Sequence, residues 1–134
     1  MNQYDPDLRE FDPESLRSRA REYFEGVAPS HDWPHVERVV RLATRIARQE
    51  SAHGKTVRVA ALLHDVGRPR EDDGTIEDHA DWGAREAGRI LAEHPVPGSF
   101  VRRVQHCVRS HRYSTGPDPR TPEARVLSDA DNLD

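Results

Sequence analysis

Apolar residues in this chain recur every three or four positions and nowhere alternate, which restricts it to packed helices. The series Val36, Val39, Val40, Ala43, Ile46 and Ala47 shows the spacing most fully. With no strand pattern, internal repeat or low-complexity tract, the fold class is all-α, a bundle of five to six helices. Leu, Ile, Val and Phe number only 26 of 134 residues, a share that signals disorder when net charge is also high. Here 20 basic residues nearly balance 24 acidic ones, leaving a net charge of −4. The expectation is one charge-coated domain with a thin core, at a length that suits a single core.

Punctuation residues divide the chain. Asp12-Pro13-Glu14 opens a first helix whose buried stripe is Leu16, Ala20, Tyr23 and Val27. Pro34 opens a second, running to about Ala52. A third spans Lys55 to Val66, apolar nearly all round and therefore central, with Gly67 ending it. Arg68 to Thr75 reads as a charged surface loop. Asp78 to His94 supplies a fourth helix, Ser99 caps a fifth with the stripe Val101, Val104 and Val108, and a second loop covers Ser114 to Arg120. Thr121-Pro122-Glu123 starts a sixth. Residues 1–12 are expected to form an N-terminal arm and 13–134 the domain.

Several classes are excluded by composition. The longest aliphatic run, Val59 to Leu63, is far too short to span a bilayer, so no membrane association is expected. Met1 to Glu10 lacks the basic start and apolar stretch of a secretion signal, which points to the cytoplasm. Cys107 stands alone, so neither an internal disulfide nor a thiolate zinc site is available. The net negative charge argues against broad non-specific nucleic-acid binding. Nineteen of the basic residues are arginine, whose planar fork suits phosphate oxygens.

Eight histidines are more than such a domain needs. His53 and His94 stand at helix ends, where the macrodipole accounts for them, and His106 lies in the charged part of the fifth helix. His64-Asp65 is different. It ends the most apolar helix, where a buried imidazole and a buried carboxylate both need a compensating partner. Gly67 lets the chain bring both toward one cation, and His35 and Asp131 are natural further ligands. Nitrogen and oxygen donors of this kind suit a divalent ion such as Mn²⁺, Fe²⁺, Co²⁺, Ni²⁺, Zn²⁺ or Mg²⁺.

These blocks, His31-Asp32-Trp33-Pro34-His35, Ala60 to Gly67 with His64-Asp65, and Asp129-Ala130-Asp131, resemble in order the HD superfamily of metal-dependent phosphohydrolases. The resemblance spans about residues 20 to 134. It implies His35, His64, Asp65 and Asp131 as metal ligands, and hydrolysis of a phosphate ester or anhydride of a nucleotide or small phosphorylated metabolite by metal-activated water. Asp65, Arg38 and Arg68 become the catalytic candidates, and Arg38, Arg68, Arg70 and Arg112 the phosphate-binding ones. By the same resemblance His79 and His111 reach a second metal or the substrate phosphate. Otherwise they are polar histidines at helix ends. His31 and Asp32 either fix their loop or support a ligand from behind, and Trp33 and Trp82 stack on a base or pack in the core.

Proteins of this kind continue past the final Asp motif, whereas this sequence ends three residues after Asp131. Either C-terminal helices are lacking, or a partner subunit supplies the cover, in which case a symmetric homodimer is expected. The alternative to the enzyme is a non-catalytic, metal-containing module that binds a nucleotide or a protein partner.

Overall fold

The computed structural model describes residues 8, 10–26, 33–112 and 116–134, and these form helices and connecting turns with no strand. His31, Asp32 and Val27 lie outside the described residues. Asp12 accepts a hydrogen bond from the Glu14 backbone N–H and starts a 3₁₀ turn over Pro13–Leu16. The chain continues through α1 (Arg17–Arg21) into a second 3₁₀ turn, Glu22–Phe24. The continuous first helix expected here is thus a succession of short turns. Leu16, Ala20 and Phe24, four residues apart, are its buried side.

α2 (Trp33–Glu50) buries Val36, Val39, Val40, Ala43 and Ala47, as its spacing requires. α3 (Gly54–Leu63) is buried at Val57 and throughout Val59 to Leu63, and it packs against α2, α6 and α7, so the most apolar helix is the central one. The residue before it, His53, caps its N-terminus and does not end α2. This corrects the macrodipole reading.

Two further corrections follow α3. Gly67 has φ −88°, so it is no left-handed helix stop. Its constraint is room: a Cβ there would lie 2.7 Å from the His79 carbonyl oxygen. The charged stretch read as a loop contains a short helix, α4 (Arg68–Asp72), with Pro69 in its first turn and buried. No apolar stripe announces α4, because it is held by polar contacts to neighbouring elements.

α5 (His79–Leu91) is capped by Asp78, which accepts from the Ala80 N–H at 3.0 Å. α6 (Gly98–Ser110) begins one residue before the expected Ser99 cap, with Pro97 at its N-cap and no side-chain cap. Its buried side is Phe100, Val104, Cys107 and Val108, and Val101 is only half-buried. Burial pushes the Cys107 thiol up to about 12, so it is an unreactive core group. α5 and α6 form the broadest helix pair, their close approach marked by Gly83 against Val108 and Gly88 against Gln105. α7 (Pro122–Leu133) is capped by Thr121 and packs on α2, α3 and α6. No helix among the described residues is long and apolar enough to cross a membrane.

Candidate metal centre

Five elements deliver side chains to one place. The first turn of α2 brings His35, the end of α3 brings His64 and Asp65, the first residue of α5 is His79, the C-cap of α6 is His111, and α7 brings Asp131. Their ligand-type atoms fall into two groups, His35 with His64 and Asp131, and Asp65 with His79 and His111, each within 4.8 Å.

Asp65 lies between the groups. Its Oδ2 is 3.7 Å from His35 Nε2 and 3.8 Å from His64 Nε2. Its Oδ1 is 3.2 Å from His79 Nε2 and 3.8 Å from His111 Nε2. Asp131 Oδ1 is 2.9 Å from His35 Nε2 and 3.5 Å from His64 Nε2. His79 and His111 approach each other through their Nε2 atoms at 3.2 Å. Every Nε2 in the cluster therefore faces a carboxylate or another Nε2.

The opposite ring nitrogens face other groups. His64 Nδ1 donates to the Ala61 carbonyl at 2.7 Å, and His111 Nδ1 to the Val108 carbonyl at 2.6 Å. His35 Nδ1 lies 2.6 Å from Asp134, and His79 Nδ1 lies 3.0 Å from Glu71. A neutral imidazole has one N–H, so a ring that donates from Nδ1 keeps its lone pair on Nε2. His64 is the decisive case: it is fully buried, and its Nε2 has no hydrogen-bond partner. Leaving such an atom unsatisfied is costly, and a cation bound among the carboxylates would satisfy it.

The electrostatics favour positive charge at this point. Burial opposes protonation of His64, but Asp65 and Asp131 outweigh it and lift the imidazole to about 9. A proton driven there occupies the place of a cation. Burial and the His64 charge push His111 down to about 4. His35 is raised, chiefly by its hydrogen bond to Asp131. Burial opposes ionisation of Asp65 and Asp131, yet the surrounding imidazoles hold both well below the usual carboxylate range.

The arginines diverge. Arg38 is exposed and paired with Asp134, its Nε 2.5 Å from Oδ1. Arg112 Nη1 meets both Glu71 oxygens at 3.1 and 3.3 Å. The Arg70 guanidinium stacks over the Trp82 ring, 5.1 Å from its centroid, beside a cavity of about 400 Å³ that Tyr23 and Arg19 also line. Arg68 keeps a buried Nε without a hydrogen-bond partner. Trp33 packs against Phe24. His106 Nε2 accepts the Arg120 N–H, His94 packs edge-on to Phe11, and His53 caps α3, all apart from the cluster. Sequence reasoning passed over Asp134 and Glu71. Asp134, three residues after Asp131, is the C-cap of α7. Glu71 was hidden by the loop reading of its segment.

The HD-domain family model matches residues 33–134, which contain every residue of the cluster. The chain belongs to the HD-domain family. Similar HD-domain structures include a predicted HD superfamily hydrolase from an uncultured Thermotogales bacterium, at 36% identity and a TM-score of 0.79, covering 90% of this chain and 66% of that one. Bacillus subtilis YpgQ in complex with ADP matches at 29% identity and a TM-score of 0.67, covering 91% of this chain and 57% of that one. Among curated proteins, Ribonuclease Y of Treponema pallidum is 30% identical over 114 residues, 85% of this chain and 21% of its own length. The chain thus spans 58% of the curated Bacillus subtilis YpgQ sequence and about a fifth of Ribonuclease Y. Its fold is HD superfamily hydrolase-like, and it carries a His/Asp cluster that could hold a metal.

Proposed function

We propose that this chain is a metal-dependent phosphohydrolase acting on a nucleotide or another small phosphorylated metabolite. One observation carries the reading: four imidazole Nε2 atoms converge on two ionised carboxylates, and the buried Nε2 of His64 has no other partner. The donor set suits divalent ions of the borderline class. His35, His64, Asp131 and Asp65 Oδ2 would hold one ion, and His79, His111 and Asp65 Oδ1 a second. When bound, such ions supply Lewis-acid polarisation of a phosphoryl oxygen and activation of water.

The chain's own residues do the rest. The Nδ1 contacts orient the rings so that the Nε2 atoms face inward. Asp65, 2% exposed and surrounded by imidazoles, stays ionised and ties the two halves together. Arg68 follows Asp65 by three residues and keeps a buried Nε without a hydrogen-bond partner, which supports it as the arginine to bind a phosphoryl oxygen. ADP in the YpgQ structure supports a nucleotide as the first substrate class to examine.

The test combines metal content of protein purified without added metal with phosphate release from a nucleotide panel, with and without Mn²⁺. Near-stoichiometric transition metal and Mn²⁺-dependent turnover are expected. Bound metal without turnover on any nucleotide or phosphorylated metabolite would favour the non-catalytic module, and absence of metal uptake would remove the reading altogether.

A further inference from the structure

We infer that Asp134 and Glu71 are positioning residues, one for each half of the cluster, and that each controls the occupancy of its own half without setting the other. The inference rests on the reading that the cluster holds two ions.

The two halves are built alike. Each contains one buried histidine at the C-terminal end of a helix whose Nδ1 is fixed by the carbonyl three residues earlier, His64 on Ala61 and His111 on Val108. No side-chain substitution removes those anchors. Each half also contains one histidine whose Nδ1 faces a carboxylate. Asp134 Oδ2 stands 2.6 Å from His35 Nδ1, and Glu71 Oε1 stands 3.0 Å from His79 Nδ1. Each carboxylate is itself held by an arginine, Asp134 by Arg38 through two contacts and Glu71 by Arg112.

These are more than surface ion pairs. The Asp134 side chain is 10% exposed although the residue as a whole is open to solvent, and its Oδ2 meets both the His35 ring and Arg38 Nη2 while Oδ1 meets Arg38 Nε. Glu71 also accepts the His79 backbone N–H at 2.8 Å, so it fixes the start of α5 and the ring together. A carboxylate on Nδ1 holds the proton there, leaves the lone pair on Nε2 and makes the ring a stronger donor to a cation. The arginine balances the outer charge, so the anchor orients its ring while the inner charge stays with Asp65 and Asp131. Arg38 and Arg112, phosphate candidates by sequence, act in this arrangement as clamps of the clamps.

The competing arrangement is specific. Arg112 Nη1 also lies 2.9 Å from His79 Nδ1, and arginine only donates. If that contact ruled, the His79 proton would sit on Nε2 and Glu71 would not orient the ring.

The full chain would be compared with Asp134→Ala, Asp134→Asn, Glu71→Ala and Glu71→Gln. Calorimetric titration of the ion-free proteins with Mn²⁺ gives the number and affinity of ions, and ¹H–¹⁵N correlation of the ion-free proteins locates the ring protons. The wild type is expected to take two ions and to show protected Nδ1–H signals from His35 and His79. Asp134→Ala should weaken one ion by about 10- to 100-fold, leave the other within about threefold, and erase the His35 signal alone. Glu71→Ala should do the same to the other ion and to His79. The Asn and Gln variants, which keep an oxygen acceptor, should recover most of the affinity. Unchanged affinities, equal weakening of both ions by either alanine variant, or a His79 proton on Nε2 would overturn the inference. Failure of the wild type to take up any ion would overturn the two-ion reading instead, and the ring-proton signals, recorded without ion, would still decide whether the carboxylates position the rings.

Discussion

The two ends of α3 carry one histidine each, both almost without exposure, and they use the imidazole in opposite ways. At the N-terminal end His53 turns Nδ1 toward its own helix, 2.7 Å from Thr56 Oγ1 and 3.4 Å from the Thr56 N–H. At the C-terminal end His64 anchors Nδ1 on the Ala61 carbonyl and aims Nε2 at Asp65 and Asp131. Burial does not separate them, at 4% and 0% exposure. The separation lies in what faces the ring: two carboxylates converge on His64 Nε2, whereas the charges around His53 are mixed. Desolvation is the largest influence on His53 and, with the nearby Arg103 and Lys55 charges, lowers its pKa against the pull of Glu123, whereas at His64 the facing carboxylates reverse the sign.

Breaking the C-terminal end should have the largest effect. Asp65→Ala removes the group that faces both halves, and we expect loss of bound metal together with a fall in hydrolysis by on the order of a thousandfold or more, as for a metal-activated reaction deprived of its ion. Elemental analysis and phosphate release read the two quantities separately. If metal stays bound while hydrolysis is lost, Asp65 acts on substrate and not as a ligand. His64→Ala should come next, losing one ion while His79, His111 and Asp65 keep theirs. A variant retaining two ions would show that the unpartnered Nε2 is not a ligand.

Much of this comparison was legible in the sequence, for physical reasons. α2 and α7 are announced by proline in the first turn and by apolar residues at helical spacing, and the cluster residues His35, His64, Asp65 and Asp131 follow from motif order. The role of His53 was not legible, because a histidine before a glycine ends one helix or begins the next equally well on sequence alone. α4 was missed because Arg68-Pro69-Arg70-Glu71-Asp72 has no stripe to bury; Glu71 contacts on His79 and Arg112 hold it. Asp134 required knowing that α7 lies against the first turn of α2.

Chelation and pH sharpen the contrast at smaller amplitude. A ligand that binds only the folded state stabilises it by about 2.7 kcal/mol at a hundred times its Kd. Removing metal from the loaded protein should therefore lower Tm by several degrees, and Asp65→Ala should be insensitive to chelator. In ion-free protein the raised His64 pKa adds stability that is complete below its unfolded value near 6.5 and is lost as pH rises toward about 9. His111, lowered to about 4, works the other way: its contribution is complete above 6.5 and is lost as pH falls toward 4. Ion-free stability should thus peak near pH 6.5 in thermal melts, and saturating Mn²⁺ should flatten the alkaline side. A loaded protein that still lost stability between pH 6.5 and 9 would show that the ion does not replace the His64 proton.

The smallest effect belongs to the N-terminal end of α3, and it separates the two uses of histidine most cleanly. His53→Ala removes a cap and should cost about 1 kcal/mol, a few degrees of Tm for a domain of this size, while leaving the number and affinity of bound ions unchanged. Asparagine is a strong N-cap whose side-chain oxygen can take over the acceptor role on Thr56, so His53→Asn should restore the lost stability. The same replacement at His64 should not restore ion binding, because an amide oxygen on a shorter side chain does not reproduce an inward lone pair fixed by a carbonyl behind the ring. Rescue at one end of the helix and failure at the other would show that the residue type is interchangeable where it caps and irreplaceable where it faces the carboxylates. Loss of metal in His53→Ala would mean instead that the N-terminal cap sets the register of α3 and, through the helix, the position of His64.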